Sequence, residues 1–138
     1  MLAPGHATYQ GRYASVVDAI HEPTSAGGRI PVLVGGNGQK VTWRLAARFA
    51  DELNLDALMP AEVEQALPVI ASRCEEIGRD PSTLRVSVHI WGRPDAPAGA
   101  ARRDRLRAYA DLGVARVMVQ GFAAVGDPGH LERVAEDC

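Results

Sequence analysis

The stretch IPVLVGGNGQKVTWRLAARFAD, residues 30–51, joins an apolar run to a helical pattern through a cluster of glycines. Residues 31–34 read Pro-Val-Leu-Val, a short apolar and β-branched run that predicts a strand buried on both faces. Beyond the glycines, Val41, Leu45 and Phe49 recur at helical spacing, which predicts a helix with one apolar stripe. The stretch therefore predicts a strand, a glycine-rich turn and a helix in succession.

The rest of the chain repeats this alternation. We predict further strands at 52–56, 84–91 and 114–120, and further helices at 60–78, 101–112 and 130–136. Strands that alternate with helices through short turns are typical of an α/β fold with a parallel sheet, here of four strands. Right-handed connections would place the C-terminal ends of all the strands at one edge of the sheet, where α/β proteins hold their ligands.

The first part of the chain lacks this order. Residues 1–29 contain prolines and glycines and show no sustained hydrophobic period. We therefore predict an irregular lead-in segment at 1–29, followed by a single α/β domain at 30–138.

Composition and charge exclude several classes of function. The net charge of −2 over 138 residues provides no basic surface for nucleic acid or for an anionic membrane. No apolar run approaches the ~18 residues of a membrane span, and the first residues do not have the layout of a signal peptide. Cys74 and Cys138 lie far apart and form no metal-binding pair, so we expect two reduced thiols in a cytoplasmic protein.

The glycine cluster falls at the predicted ligand-binding edge. Gly35, Gly36, Asn37 and Gly38 follow the first buried strand, and a helix N-terminus behind them would offer unpaired N–H groups to an anion. Gln39 and Lys40 add a hydrogen-bond donor and a cation. The spacing matches neither the P-loop motif nor the dinucleotide-binding motif. The residues alone leave two readings open, an anion site and a plain tight turn.

Several segments, in order, carry a family resemblance. PVLVGGNGQKVTWRLAARFADELNLD resembles the segment P-P-I-L-I-G-G-G-G-E-K-x-T-L-R-L-x-A-R-x-A-D-x-W-N of the luciferase-like monooxygenases, in particular their deazaflavin-dependent oxidoreductases. YQGRYASVVDAIHEP, CEEIGRDPSTLRVSV and YADLGVARVMVQ resemble further segments of that family. The resemblance covers nearly the whole chain.

The resemblance implies a fold, a cofactor and a reaction class. The family fold is a (β/α)8 barrel, and the segments found here would be its fifth to eighth units, the C-terminal half. In relatives the glycine loop helps to hold the phosphate-bearing tail of the cofactor, which is the deazaflavin coenzyme F420 or flavin mononucleotide (FMN). The resemblance thus implies an oxidoreductase or monooxygenase acting on a small molecule, with cofactor-binding residues at Gly35, Gly36, Asn37, Gly38, Gln39 and Lys40.

Four strands cannot close a barrel, which typically needs about 250 residues. We therefore expect the sheet to be covered by a second copy of the chain in a homodimer or by a separate N-terminal half, with a truncated product as the third alternative. The alternative function is a non-catalytic half-barrel that binds a phosphorylated ligand or only assembles with a partner.

A few polar and aromatic residues near the strand ends are further candidates. His89, Trp91 and Gln120 are candidates for lining the substrate cavity, with packing in the core as the other reading. Asn54 in the second strand is expected to form structural hydrogen bonds. The histidines show no metal-ligand spacing, so we predict no metal, and no general acid or base can be named from the sequence.

Overall fold

The computed structural model describes residues 5–20, 30–90, 98–119, 126–127 and 129–138. Two of the candidate cavity residues, Trp91 and Gln120, lie outside this described part. The chain divides into two compact units, Met1–Pro31 and Val32–Cys138.

The first unit contains an antiparallel hairpin of β1 (His6–Gln10) and β2 (Ser15–Ile20). A turn closed by the Gly11 N–H and the Ala14 carbonyl, 2.9 Å apart, joins the two strands. This corrects the expectation that residues 1–29 are irregular throughout. The strands are mostly exposed, so their sequence did not need the alternation of apolar and polar residues by which half-buried strands are recognised.

The second unit alternates strands and helices. Its elements are β3 (Leu33–Gly35), α1 (Thr42–Phe49), β4 (Glu52–Asp56), α2 (Pro60–Glu75), β5 (Arg85–Ile90), α3 (Ala100–Asp111), β6 (Arg116–Val119) and α4 (Gly129–Glu136). The four strands form one parallel sheet in the order β3-β4-β5-β6. The prediction of an α/β fold with four parallel strands alternating with helices is confirmed.

The two faces of this sheet differ in chemistry. Leu53, Leu55, Val86 and Val88 belong to the buried core, together with apolar residues of α1 and α2. The opposite face, here called the inner face, carries the alternate residues of the same strands. On it the Asn54 Nδ2 donates to the Ser87 Oγ at 2.9 Å, and both residues are buried.

Helix α1 is present as predicted, but its predicted apolar stripe is not the buried face. Val41, Leu45 and Phe49 are 64%, 47% and 56% exposed. The buried face consists of Trp43, Ala46, Ala47 and Ala50. Small alanines let the helix approach the sheet closely, and the large indole fills the remaining space, so this face packs more tightly than the larger residues opposite it would.

Candidate functional site

The candidate site is the glycine loop, defined here as residues 35–41, which connects β3 to α1. The loop begins at the C-terminal end of β3, where Gly35 pairs with Asn54 of β4. The Gly36 N–H donates to the Asn54 carbonyl at 2.9 Å, so the chain follows β4 for one residue beyond the strand. The loop therefore lies at the edge of the sheet that the sequence predicted.

Two of the loop glycines are required by the fold. Gly36 has a φ of +122°, a conformation that residues with side chains rarely adopt. At Gly38 a Cβ atom would lie 2.6 Å from the Thr42 Oγ1, which is too close for any side chain without movement. These two positions shape the turn whether or not a ligand binds there.

Gly35 has no such requirement. A Cβ atom added there would meet only the Asn54 carbonyl oxygen, at 4.0 Å, and the φ angle lies outside the left-handed region. Because the preceding residue, Val34, packs against the core, the missing side chain of Gly35 falls on the inner face. The space that a side chain would fill is left open beside the loop, which fits the approach of a ligand.

The backbone of the loop offers hydrogen-bond donors. Within the part of the chain that the structure describes, the N–H groups of residues 37–40 donate to no protein acceptor. No side chain caps the start of α1, and its first turn contains no acidic residue. The side chain of Lys40 is exposed beside these donors. Successive free N–H groups, a helix N-terminus and a cation together favour a negatively charged ligand.

The side chain of Asn37 is engaged with the protein. Its Nδ2 donates to the Asp56 carbonyl at 2.8 Å, and its Oδ1 accepts from the Asp56 N–H at 2.9 Å. The backbone N–H of Asn37 remains available to a ligand, whereas its carboxamide is used to join the loop to the end of β4.

Trp43 also contacts the loop, which the sequence did not indicate. The indole is buried, with 1% of its surface exposed, and its Nε1 donates to the Gly36 carbonyl at 3.0 Å. A buried indole N–H needs an acceptor, so a tryptophan on the core side of α1 could have suggested such a contact. On the outer side of the loop, Arg73 Nε donates to the Gln39 carbonyl at 3.3 Å.

Of the candidate cavity residues, the structure describes only His89. It pairs with Asp56 across β4 and β5, on the same strand face as Ser87, and therefore lies on the inner face near the loop end of the strands. Asn54 forms the structural hydrogen bond with Ser87 that the sequence analysis expected.

A second polar cluster lies at the opposite ends of the strands. The buried carboxylate of Glu52 accepts from Arg116 Nε at 2.9 Å and lies 3.6 Å from Arg85 Nη2. Burial opposes ionisation of Glu52, but hydrogen bonds from Ser87 and Arg116 and the charges of the two arginines outweigh it and lower the pKa below its usual value. Glu52 lies two residues along β4 from Asn54, the residue that pairs with Gly35. The geometry of the cluster is that of a structural ion pair.

Two further properties concern the described residues only. Among them, no group of three or more His, Cys, Asp or Glu side chains is placed to hold a metal ion. None of the helices within the described ranges has the length and apolar character needed to cross a membrane.

Comparison with known proteins gives consistent matches. The family model for luciferase-like monooxygenases matches residues 1–121. An F420-dependent secondary alcohol dehydrogenase, solved in complex with an F420–acetone adduct, superposes with a TM-score of 0.54 at 25% identity, over 63% of this chain and 26% of its own. The coenzyme F420-dependent tetrahydromethanopterin reductase from Methanopyrus kandleri superposes with a TM-score of 0.57 at 23% identity, over 80% of this chain and 32% of its own. The chain thus matches about a quarter to a third of the length of these two enzymes.

Proposed function

The chain belongs to the luciferase-like monooxygenase family, and from this premise we propose that it forms part of a deazaflavin- or flavin-dependent oxidoreductase and supplies the loop that binds the cofactor phosphate. The (β/α)4 arrangement corresponds to part of the barrel of such enzymes. We favour the deazaflavin coenzyme F420 over FMN, because the secondary alcohol dehydrogenase that the chain resembles is named as F420-dependent.

The observation that carries the proposal is the space at Gly35 beside unused donors. None of the residues that the structure describes prevents a side chain at this position. Gly35 nevertheless leaves it empty on the inner face, next to the free N–H groups of residues 37–40. A phosphate group needs both features, since its oxygens must approach the backbone closely and accept several hydrogen bonds.

The proposed roles follow from this geometry. The backbone N–H groups of residues 37–40 hold the phosphate, Lys40 adds a charge, and Gln39 offers its side-chain amide. His89, on the inner face, would line the cavity beside the bound cofactor, and Trp91 and Gln120 remain candidates for the same cavity. When bound, a deazaflavin supplies hydride transfer and a flavin can also activate oxygen, so that the protein's task is to orient the cofactor and exclude competing reactions.

A comparison of FMN with riboflavin tests the phosphate site, because the two differ only in the phosphate group. We expect the purified chain to bind FMN more tightly than riboflavin when dissociation constants are measured by fluorescence titration.

Lys40→Ala should weaken FMN binding about three- to tenfold at low salt and less at high salt, since an exposed charge is screened. Arg107→Ala, which removes an exposed charge from α3, is the matched control and should change neither constant. If the unmodified chain binds FMN and riboflavin with equal affinity, the proposed phosphate site is wrong.

We also propose that the inner face is covered by a second polypeptide surface, either another copy of the chain or an N-terminal half-barrel. Two arginines, Arg85 and Arg116, share the one carboxylate of Glu52 on this face, and both side chains are more than half exposed. Their excess positive charge suits a carboxylate of the covering surface. A cytoplasmic location, expected from the free thiols of Cys74 and Cys138, is part of the same proposal.

Light scattering tests the choice of partner. A mass of two chains that persists on dilution would support the homodimer, and a monomer that binds a separately produced N-terminal half would support the other arrangement. A monomer that binds neither a second copy of the chain nor an N-terminal half would contradict the proposal that the inner face is covered.

A further inference from the structure

Two side chains fix the glycine loop at the adjacent residues Gly36 and Asn37. The carboxamide of Asn37 exchanges two hydrogen bonds with the backbone of Asp56, at 2.8 and 2.9 Å. The indole of Trp43 donates to the Gly36 carbonyl at 3.0 Å. With the bond from the Gly36 N–H to Asn54, the peptide groups before and after Gly36 are both tied to other elements.

The contacts of Asn37 reproduce those of a neighbouring strand. A residue that both donates to and accepts from the same backbone position acts as one more rung of the sheet, here added by a side chain beyond the last paired residue of β3. Asn37 is exposed and its φ is not positive, so that neither burial nor backbone conformation requires an asparagine at this position. The two hydrogen bonds are what an asparagine adds there.

The contact of Trp43 acts from the other side. Its ring is part of the core beneath α1, so the indole N–H is held in place by packing and in turn holds the Gly36 carbonyl. Together the two side chains connect the loop to β4 on one side and to the core of α1 on the other.

We propose that Asn37 and Trp43 are positioning residues, which hold the loop in the shape that presents the N–H groups of residues 37–40 to the phosphate without using their own side chains to bind it. The inference rests on the proposed function of the loop. Its physical basis is pre-organisation, because a loop that is already ordered loses less conformational entropy when a ligand binds.

The test combines two substitutions with two measurements. Asn37→Ala removes both bonds to Asp56, and Trp43→Phe removes the indole N–H while keeping an aromatic ring in the core. Thr83→Val is the control, since it removes the hydroxyl that bonds Arg79 and Asp80 at the opposite end of β5. For each variant, amide hydrogen exchange is measured without ligand at Gly36, whose N–H is bonded to the Asn54 carbonyl. Dissociation constants are measured for FMN and riboflavin.

We expect faster amide exchange at Gly36 in both Asn37→Ala and Trp43→Phe. The FMN affinity of Asn37→Ala should be about tenfold lower, because two modest hydrogen bonds are lost. Riboflavin binding and the Thr83→Val variant should be unaffected. Exchange at Gly36 that stays slow in Asn37→Ala, or faster exchange at Gly36 with an unchanged preference for FMN, would overturn the positioning role and leave the phosphate site standing. If the unmodified chain shows no preference for FMN, the phosphate site and the positioning role both fall.

Discussion

Gly35 differs from the other two glycines of the loop because the fold does not require a glycine at its position. Gly36 is required by its φ of +122° and Gly38 by its contact with Thr42, but a Cβ atom at Gly35 would meet nothing closer than 4.0 Å. We therefore expect Gly35→Ala to leave the thermal midpoint of unfolding within about 2 °C of the parent, since Ala in place of an unstrained Gly costs little. The methyl group would occupy the space beside the phosphate and weaken FMN binding by about tenfold or more.

Gly38→Ala provides the contrast in the same loop. Its methyl group would meet the Thr42 Oγ1, so we expect this variant to lose thermal stability as well as FMN affinity. Melting curves and FMN titrations of both variants distinguish the two cases. A Gly35→Ala variant that binds FMN normally would show that the space is not used by the ligand.

The individual residues of the site were only partly accessible from the sequence. The glycines could be placed at the ligand-binding edge because they follow a clear strand and precede a clear helix. The contacts of Asn37 and Trp43 could not be predicted, because they depend on the three-dimensional path of the loop. The family segment quoted above also gave no indication of them, since it has Gly and Leu at these positions. His89 could be assigned to a strand face by alternation alone.

At the scale of the elements, one arginine joins α1 to the turn before β5. Arg79 donates through Nη1 to the carbonyls of Ala47 and Ala50 at 2.8 and 2.9 Å, and through Nε and Nη2 to Thr83 at 2.8 and 2.9 Å. It thereby satisfies carbonyl groups at the C-terminal end of the helix that have no partner within it. The GRDPSTL segment that supports the family resemblance thus has a structural role here.

Arg79→Ala should therefore destabilise the fold. We expect the free energy of unfolding to fall by about 2 kcal/mol, because several charge-assisted hydrogen bonds are lost and helix carbonyls are left without a partner. Arg48→Ala is the matched control, since this arginine in the last turn of the same helix lies over the exposed ring of Phe49. It should change the free energy by no more than about 0.5 kcal/mol. Urea unfolding measures the free energy of unfolding of both variants. Equal losses of free energy in Arg79→Ala and Arg48→Ala would contradict the capping role of Arg79.

Glu52 links three strands of the sheet through its charge. Although burial opposes its ionisation, hydrogen bonds from Ser87 and Arg116 and the charges of the two arginines hold its pKa below the usual value in the folded chain. A carboxylate with a lowered pKa stabilises the fold above its unfolded pKa, and that contribution is lost as the pH falls through the folded value. We expect Glu52→Gln to reduce stability by about 2 kcal/mol at pH 7, where the parent has the buried charge pair.

The difference between the parent and Glu52→Gln should shrink as the pH falls below about 4.5, because the parent's carboxyl group then becomes neutral as well. Urea unfolding of both proteins at pH 7, 5 and 3 gives this difference directly. A difference that is constant over the whole range would show that the charge of Glu52 does not contribute.

The elements of the second unit were predictable because their signals are local. Buried parallel strands appear as short apolar runs, and glycine or proline punctuates the turns between them. In the first unit the sequence allowed only a short strand or turn around GRYASVV and did not predict the hairpin, because its strands are exposed and lack alternation. The buried face of α1 was missed because its alanines carry a weak hydrophobic signal, while the larger Val41, Leu45 and Phe49 lie on the exposed side.

At the scale of the whole molecule, the two faces of the parallel sheet in the second unit differ. Helices cover the apolar side, where the core lies, whereas the inner face carries polar and charged residues and ends at the glycine loop. In a barrel this face is the interior, which holds packed side chains and, at the C-terminal ends of the strands, the ligand. We therefore propose that the cofactor and the covering partner both bind to this face.

Native mass spectrometry of the purified chain, with the deazaflavin coenzyme and FMN offered together in equal amounts, tests the central claim most directly. The account predicts folded ions that retain one phosphorylated cofactor per chain, with the deazaflavin preferred, and loss of that cofactor in Gly35→Ala. Folded ions that retain neither cofactor would contradict the claim that the glycine loop is a cofactor phosphate site.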